Sequence, residues 1–349
     1  MEHLRASVLV AAILSLTAGT VHPAHAADDC ATLKGLSLDL TPTDEGYLVP
    51  MSVAGTPHLF LLEFEAAYSK FDQAIAEALK LPTKNVPNGL SIADIKGPFT
   101  KIVTAPTIML GPVTRRNVEF LIAPHRDQWG RADGVVGMNV FYGFDIELDL
   151  SHNKLGLFLP RDCPFRPYWP FDVVGSSTLK LAPTGGIVLT MEIEGKRIEA
   201  SIATSNKRTY MPLTAARMLL GIEESNPNLV AAGTRDNGED MFRYPFKTLS
   251  ADNVTINNPK IYIYRNKSEL CGGVAGGRYR AMQGSDRCFG GGDVELGTDS
   301  LSKLRLFFVF KENKVYFTLA EQSPPALAAP TTGLPVPQPT PARGNSTQR

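Results

Sequence analysis

Short apolar runs broken by glycine, proline and polar turns carry most of this chain. Phe144 to Phe158, FDIELDLSHNKLGLF, has two apolar stretches around a polar S-H-N-K turn, the pattern of a β-hairpin. Leu304 to Thr318, LRLFFVFKENKVYFT, repeats it around K-E-N-K without a gap, at a shift of 160 (297 − 137, matching Gly297 to Gly137). Upstream, Gly55 to Ser69 falls on Gly195 to Thr209 at a shift of 140 (195 − 55). Two segments, Phe71 to Lys80 and Pro212 to Leu220, space apolar residues at three and four and are expected as short helices. Each repeat therefore reads strand, turn, strand, loop, short helix, strands, a V-V-G or E-L-G tripeptide, then a terminal hairpin. Self-similarity at this length predicts two lobes about a pseudo-twofold axis with a cleft between them. The two shifts differ by 20 (160 − 140), an insertion in the second repeat that includes the glycine-rich stretch between Cys271 and Cys288.

The ends of the chain differ from its middle. Arg5, the apolar run Val8 to Ala18 and Ala24-His25-Ala26 read as a secretory signal cleaved near Ala26, so the mature protein is expected to be periplasmic or secreted, with no transmembrane segment. The expected boundaries are 1–26 for the signal, 27–172 and 179–320 for the lobes, and 173–178 for the linker. Residues 321–349, rich in proline and alanine, are expected as a disordered tail. An even number of cysteines in an exported chain suggests two disulfides. Cys271 and Cys288 flank one loop and are paired, which leaves Cys30 with Cys163. Their spacing does not suit zinc, and neither a metal nor another cofactor is expected. Lys+Arg and Asp+Glu are both 35, and this zero net charge argues against a nucleic-acid partner.

The strand ending E-F-E-A, followed by A-Y-S, and the later apolar-apolar-Gly elements DGVVGMNV and VELGTDS resemble the active-site elements of retropepsin-like and pepsin-like aspartic proteases. The resemblance runs from about Leu36 to Thr318. It implies an all-β, two-lobed acid-protease fold with one short helix per lobe. That family uses two aspartates sharing one proton, each in a D-T-G-A or D-T-G-S loop. Here the first loop has Glu63, Phe64, Glu65 and Ala66, and the second has Ala203, Thr204, Ser205 and Asn206. Only Thr204 and Ala66 keep the family residue. Glu63 and Ala203 thus mark a degenerate dyad, with Phe64, Glu65, Thr204 and Ser205 expected to line the cleft. With an extra methylene Glu63 would overshoot the water position, and Ala203 has no functional group.

Other chemistry is thinly represented. No G-x-S-x-G, H-E-x-x-H, Walker A or G-x-G-x-x-G pattern occurs. His58, His125 and His152 are read as surface residues, Asp133 and Asp293 as turn caps, and Pro167 to Pro170 as inter-lobe packing. The leading expectation is a monomeric pseudoprotease that binds a peptide or protein in its cleft. The alternatives are an active aspartic-type endopeptidase with an atypical site and a structural envelope-associated module.

Overall fold

In the computed structural model the described residues are 35–87, 92–94, 97–124, 126–169, 174–182, 185–235, 238–265 and 292–320. The expected signal and tail segments, His125 and the glycine-rich loop lie outside them. So do Cys30, Cys271 and Cys288, while Cys163 is disulfide-bonded.

The repeat is visible in the backbone angles. Tyr47–Val53 and Thr56–Leu62 pair antiparallel through a turn with positive φ at Ala54 (49°) and Gly55 (85°). Ile187–Ile193 and Lys196–Ile202 do the same through Glu194 (50°) and Gly195 (72°). Two successive left-handed residues match the right-handed twist of a hairpin. The terminal hairpins turn through Asn153 (55°) and Asn313 (51°), where a short polar side chain tolerates the left-handed region.

In both lobes the second of the paired strands runs parallel to the strand of the V-V-G or E-L-G tripeptide: Phe60–Leu62 with Gly134–Val136, and Ala200–Ile202 with Val294–Leu296. Gln73–Ala78 starts where the Asp72 carboxylate accepts from Ala74 N (2.8 Å) and Ile75 N (3.2 Å). Leu213–Leu220 ends on Gly221 in the left-handed region. Each lobe also has a second helix of one turn directly after the tripeptide, at Met138–Phe141 and Thr298–Leu301, which adds to the one per lobe expected.

The lobes join through their terminal hairpins. Gly35–Asp39, Lys154–Phe158, Asp145–Asp149, Leu304–Val309, Lys314–Leu319 and Gly175–Leu181 lie side by side in that order, all antiparallel. The pseudo-twofold axis passes through the pair Glu147↔Phe307, since 307 − 147 is the repeat shift of 160. Of the expected linker 173–178, the residues from Gly175 onward belong to the strand Gly175–Leu181, bonded first to Lys314–Leu319 and then to Ile187–Ile193. Pairing on both edges satisfies the strand's backbone donors and acceptors within the sheet.

Both central strands of this sheet are buried along their whole length, so their polar residues need internal partners. Arg305 Nε lies 2.6 Å from Glu147 Oε1 and 3.7 Å from Asp149 Oδ2. Trp169 Nε1 donates to Glu147 Oε1 at 2.8 Å, and Tyr168 OH donates to Glu147 Oε2 at 2.5 Å. The Tyr168 and Trp169 rings also pack near Phe307, at 6.5 Å each. The aromatic segment is inter-lobe packing, as expected. Arg305→Met should leave two buried carboxylates without their guanidinium and lower stability by about 3–5 kcal/mol. Adding Glu147→Leu should recover part of that loss, with urea unfolding as the measurement.

Candidate active-site junction

Glu63 and Ala203 end their strands in the same way. Glu63 N donates to Val136 O and Ala203 N to Leu296 O, both at 3.0 Å. The loops then turn identically, with Ala66 N on Glu63 O and Asn206 N on Ala203 O, both at 3.2 Å. Ser69 Oγ accepts from Gly137 N (2.9 Å), and Thr209 Oγ1 accepts from Gly297 N (3.1 Å). At Gly137 an added Cβ would lie 2.7 Å from Ala66 O; at Gly297 it would lie 2.3 Å from Arg208 O. Only glycine fits that approach of backbone to backbone.

The loops meet across the lobes through Thr204. Its hydroxyl donates to Leu62 O (2.8 Å) and accepts from Phe64 N (3.0 Å). The other half of this contact is missing, because position 64 carries a phenyl ring. Phe64 is buried and packs edge-on against Phe141 (5.7 Å) and Phe308 (6.1 Å). Across the axis the junction has one hydroxyl and one apolar plug.

The carboxylates are placed unequally. Glu63 is buried and its Oε2 takes the Lys70 ammonium at 2.7 Å. Glu65 reaches into the second lobe. Its Oε2 accepts from Thr204 N (3.1 Å), and its Oε1 accepts from Ser205 N (3.2 Å) and from the Ser205 hydroxyl. The side chain that the sequence places where the backbone favours glycine therefore does not break the loop; it caps the amides of the opposite one. Burial, and then the Glu63 charge, push the Glu65 carboxyl up to about 7, against the lowering effect of its hydrogen bonds. Ala203 is buried and contributes no polar group.

The predicted site residues Glu63, Phe64, Glu65, Ala203, Thr204 and Ser205 are thus brought together. Lys70 was missed; nothing in a lone lysine at a strand start marks it as the partner of Glu63. His58 lies elsewhere and is not a surface residue: it is buried in Thr56–Leu62, with Nδ1 2.8 Å from Asp133 Oδ2. The alternation that makes this strand half-buried turns position 58 inward. Asp133 and Asp293 accept across the sheet from Leu59 N (3.3 Å) and Glu199 N (2.8 Å). Among the described residues no three His, Cys, Asp or Glu side chains converge as metal ligands.

Two lobes, matched loops under apolar-apolar-Gly strands and a threonine bridging them define an aspartic-protease architecture. Residues 49–140 match the family model described as aspartyl protease. The aspartic proteinase of Irpex lacteus superposes with a TM-score of 0.51 at 11% identity, over 82% of this chain and 97% of that one. Basic 7S globulin from soybean gives 0.46 at 11% identity, over 82% and 95%. A retropepsin-like aspartic protease from Rickettsia conorii gives 0.29 at 14%, over 37% of this chain and 92% of that one. Comparison with curated proteins finds no significant match.

The Glu65 shift has a definite sign. Between its ordinary value of 4.5 and about 7 the folded chain holds a proton that the unfolded chain has lost. Stability through this group should therefore fall as pH rises across that window. Urea unfolding at pH 5 and pH 8 measures it, and Glu65→Gln should flatten the difference. Thr204→Val strips two backbone groups of their partner and should cost about 1–3 kcal/mol for each group left buried and unsatisfied, read from the shift in the urea midpoint.

Proposed function

We propose that this chain is an exported, non-hydrolytic relative of the aspartic proteases that binds peptide between its lobes. The observation that carries the reading is the fate of the carboxylates. Hydrolysis by this fold needs two of them placed symmetrically about one water. Here Ala203 supplies none, Glu63 is neutralised by Lys70, and Glu65 is engaged by the amides of the opposite loop. The scaffold around the missing pair is retained, which supports continued use of the inter-lobe surface. Extended peptides suit it chemically, because strand-forming backbone offers regular donors and acceptors to sheet edges and loops.

One observation favours a second reading, an atypical aspartic-type endopeptidase. Glu63 and Glu65 repel one another enough to help hold a proton on Glu65. One protonated and one ionised carboxyl is the charge state that acid–base hydrolysis requires. The Lys70 ammonium opposes it, since it occupies Glu63 Oε2, one of the two oxygens that a water could use.

The pure mature protein should show no cleavage of reduced, unfolded protein between pH 3 and pH 7, with or without pepstatin. It should bind members of a randomised decapeptide pool without consuming them, followed by mass spectrometry of bound and free fractions. Pepstatin-sensitive cleavage lost in both Glu63→Gln and Glu65→Gln would establish the second reading and sink the first.

A further inference from the structure

The two repeats differ in the strand of the tripeptide and in the strand paired with it. Glu295 in the E-L-G tripeptide stands where the first repeat has Val135 (295 − 135 = 160), and Tyr210 stands where it has Lys70 (210 − 70 = 140). Register confirms the equivalence, with Lys70 opposite Val135 and Tyr210 opposite Glu295. A carboxylate at an apolar position is costly to desolvate, and burial raises the Glu295 carboxyl above its ordinary range.

What surrounds Glu295 is a cage for a cation. Tyr210 and Tyr264 present rings 6.2 Å apart at 88°, two walls at a right angle. Asn206 Nδ2 donates to Glu295 Oε2 at 3.1 Å and fixes the carboxylate. The guanidinium carbon of Arg235 sits 4.3 Å from the Tyr210 ring centre and 4.2 Å from that of Tyr264. Its nitrogens stand 3.4 Å from Glu295 and 3.6 Å from Glu239. Those ion-pair distances exceed the 2.7–2.9 Å of a well-made charge-assisted hydrogen bond, so the ring faces supply much of the fit.

The walls and the occupant belong to different kinds of structure. Tyr210, Tyr264 and Glu295 come from three neighbouring strands, Thr209–Pro212, Ile261–Tyr264 and Val294–Leu296. Arg235 follows Val230–Thr234, the last strand of that sheet, which is largely exposed and slips register between Ala231 and Thr234. The cage also adjoins the lobe junction, because Asn206 follows Ser205, which holds Glu65.

We propose that Tyr210, Tyr264 and Glu295 form a subsite for a guanidinium or ammonium side chain of a bound peptide, and that Arg235 is the chain's own occupant of it. The subsite gives the peptide-binding reading a preferred ligand class, basic peptides, and rests on that reading only for the peptide. An incoming arginine exchanges with the Arg235 side chain, so affinity for a free cation is low until Arg235 is removed. The cage selects charge and planarity together: a guanidinium stacks on both rings while facing the carboxylate, whereas a neutral planar group of the same shape gains only the stacking.

The test uses the full mature chain and two probes of one shape, N-acetyl-arginine methylamide and its neutral citrulline counterpart, titrated by NMR. Arg235→Ala should bind the arginine probe at least tenfold more tightly than the citrulline probe, and at least tenfold more tightly than the wild type does. Adding Glu295→Gln should erase the preference. Equal binding of the two probes by Arg235→Ala, or a preference that survives Glu295→Gln, would overturn the proposal. Arg235→Met, which keeps the apolar stem, replaces Arg235→Ala if the latter does not fold. The wild type is also offered decapeptides that differ only in arginine against citrulline, where tenfold discrimination is expected and its absence counts against the subsite. Peptides bound without that discrimination leave the cleft reading standing and remove the subsite. No peptide bound, with the arginine probe still selected by Arg235→Ala, does the reverse.

Discussion

Ile146–Asp149 against Arg305–Phe308 is the pairing on which the two lobes depend. Because Glu147 faces its own repeat equivalent, Phe307, this short ladder fixes both the axis and the distance between the loops at positions 63 and 203. Both strands are buried, so the ladder can exist only if their polar side chains are satisfied from within. Arg305 comes from the second lobe, Glu147 and Asp149 from the first, and Tyr168 and Trp169 from the segment leading toward the second. The cluster therefore selects one arrangement of the lobes, since any slip separates a buried charge from its partner.

With the lobes fixed there, the loops at the junction are held together by unequal means. One threonine bridges them, one phenylalanine fills the opposite space, and one glutamate crosses over. The backbone of the two loops stays matched, down to the amide contacts at Glu63 and Ala203. The two loops are symmetric in their main-chain contacts and differ in their side chains. The same division holds in the tripeptides, where both glycines are kept and Val135 is exchanged for Glu295.

Much of this was legible in the sequence, for identifiable reasons. Hairpins with matching turns repeat without gaps, so the terminal hairpins and the shifts of 160 and 140 could be read directly, as could the six junction residues. Short-range pattern could not reveal that Gly175–Leu181 closes a sheet, because Gly-Ser-Ser has linker composition and gains its strand only from Lys314–Leu319. Nor could it place the Glu65 carboxylate 140 positions away on Ser205. Spacing along the chain carries no information about which way a long side chain bends. Glu295 did leave a trace, as a charge at an apolar position of the repeat, and comparing the two tripeptides would have exposed it. His58 was misplaced because histidine itself says little about burial, whereas its place in an alternating strand says more.

Phe64 carries a consequence for any attempt to build a symmetric pair of hydroxyls at this junction. Its ring packs among Phe141 and Phe308, in the core shared by the two lobes. Trading it for threonine would remove most of a buried aromatic side chain, a change of the kind that costs about 3–5 kcal/mol when the gap cannot collapse. Placing aspartates at 63 and 203 would still leave this residue barring the second hydroxyl. A symmetric hydroxyl pair at this junction is therefore reached only through a less stable protein, because the same ring that fills the space also joins the two lobes.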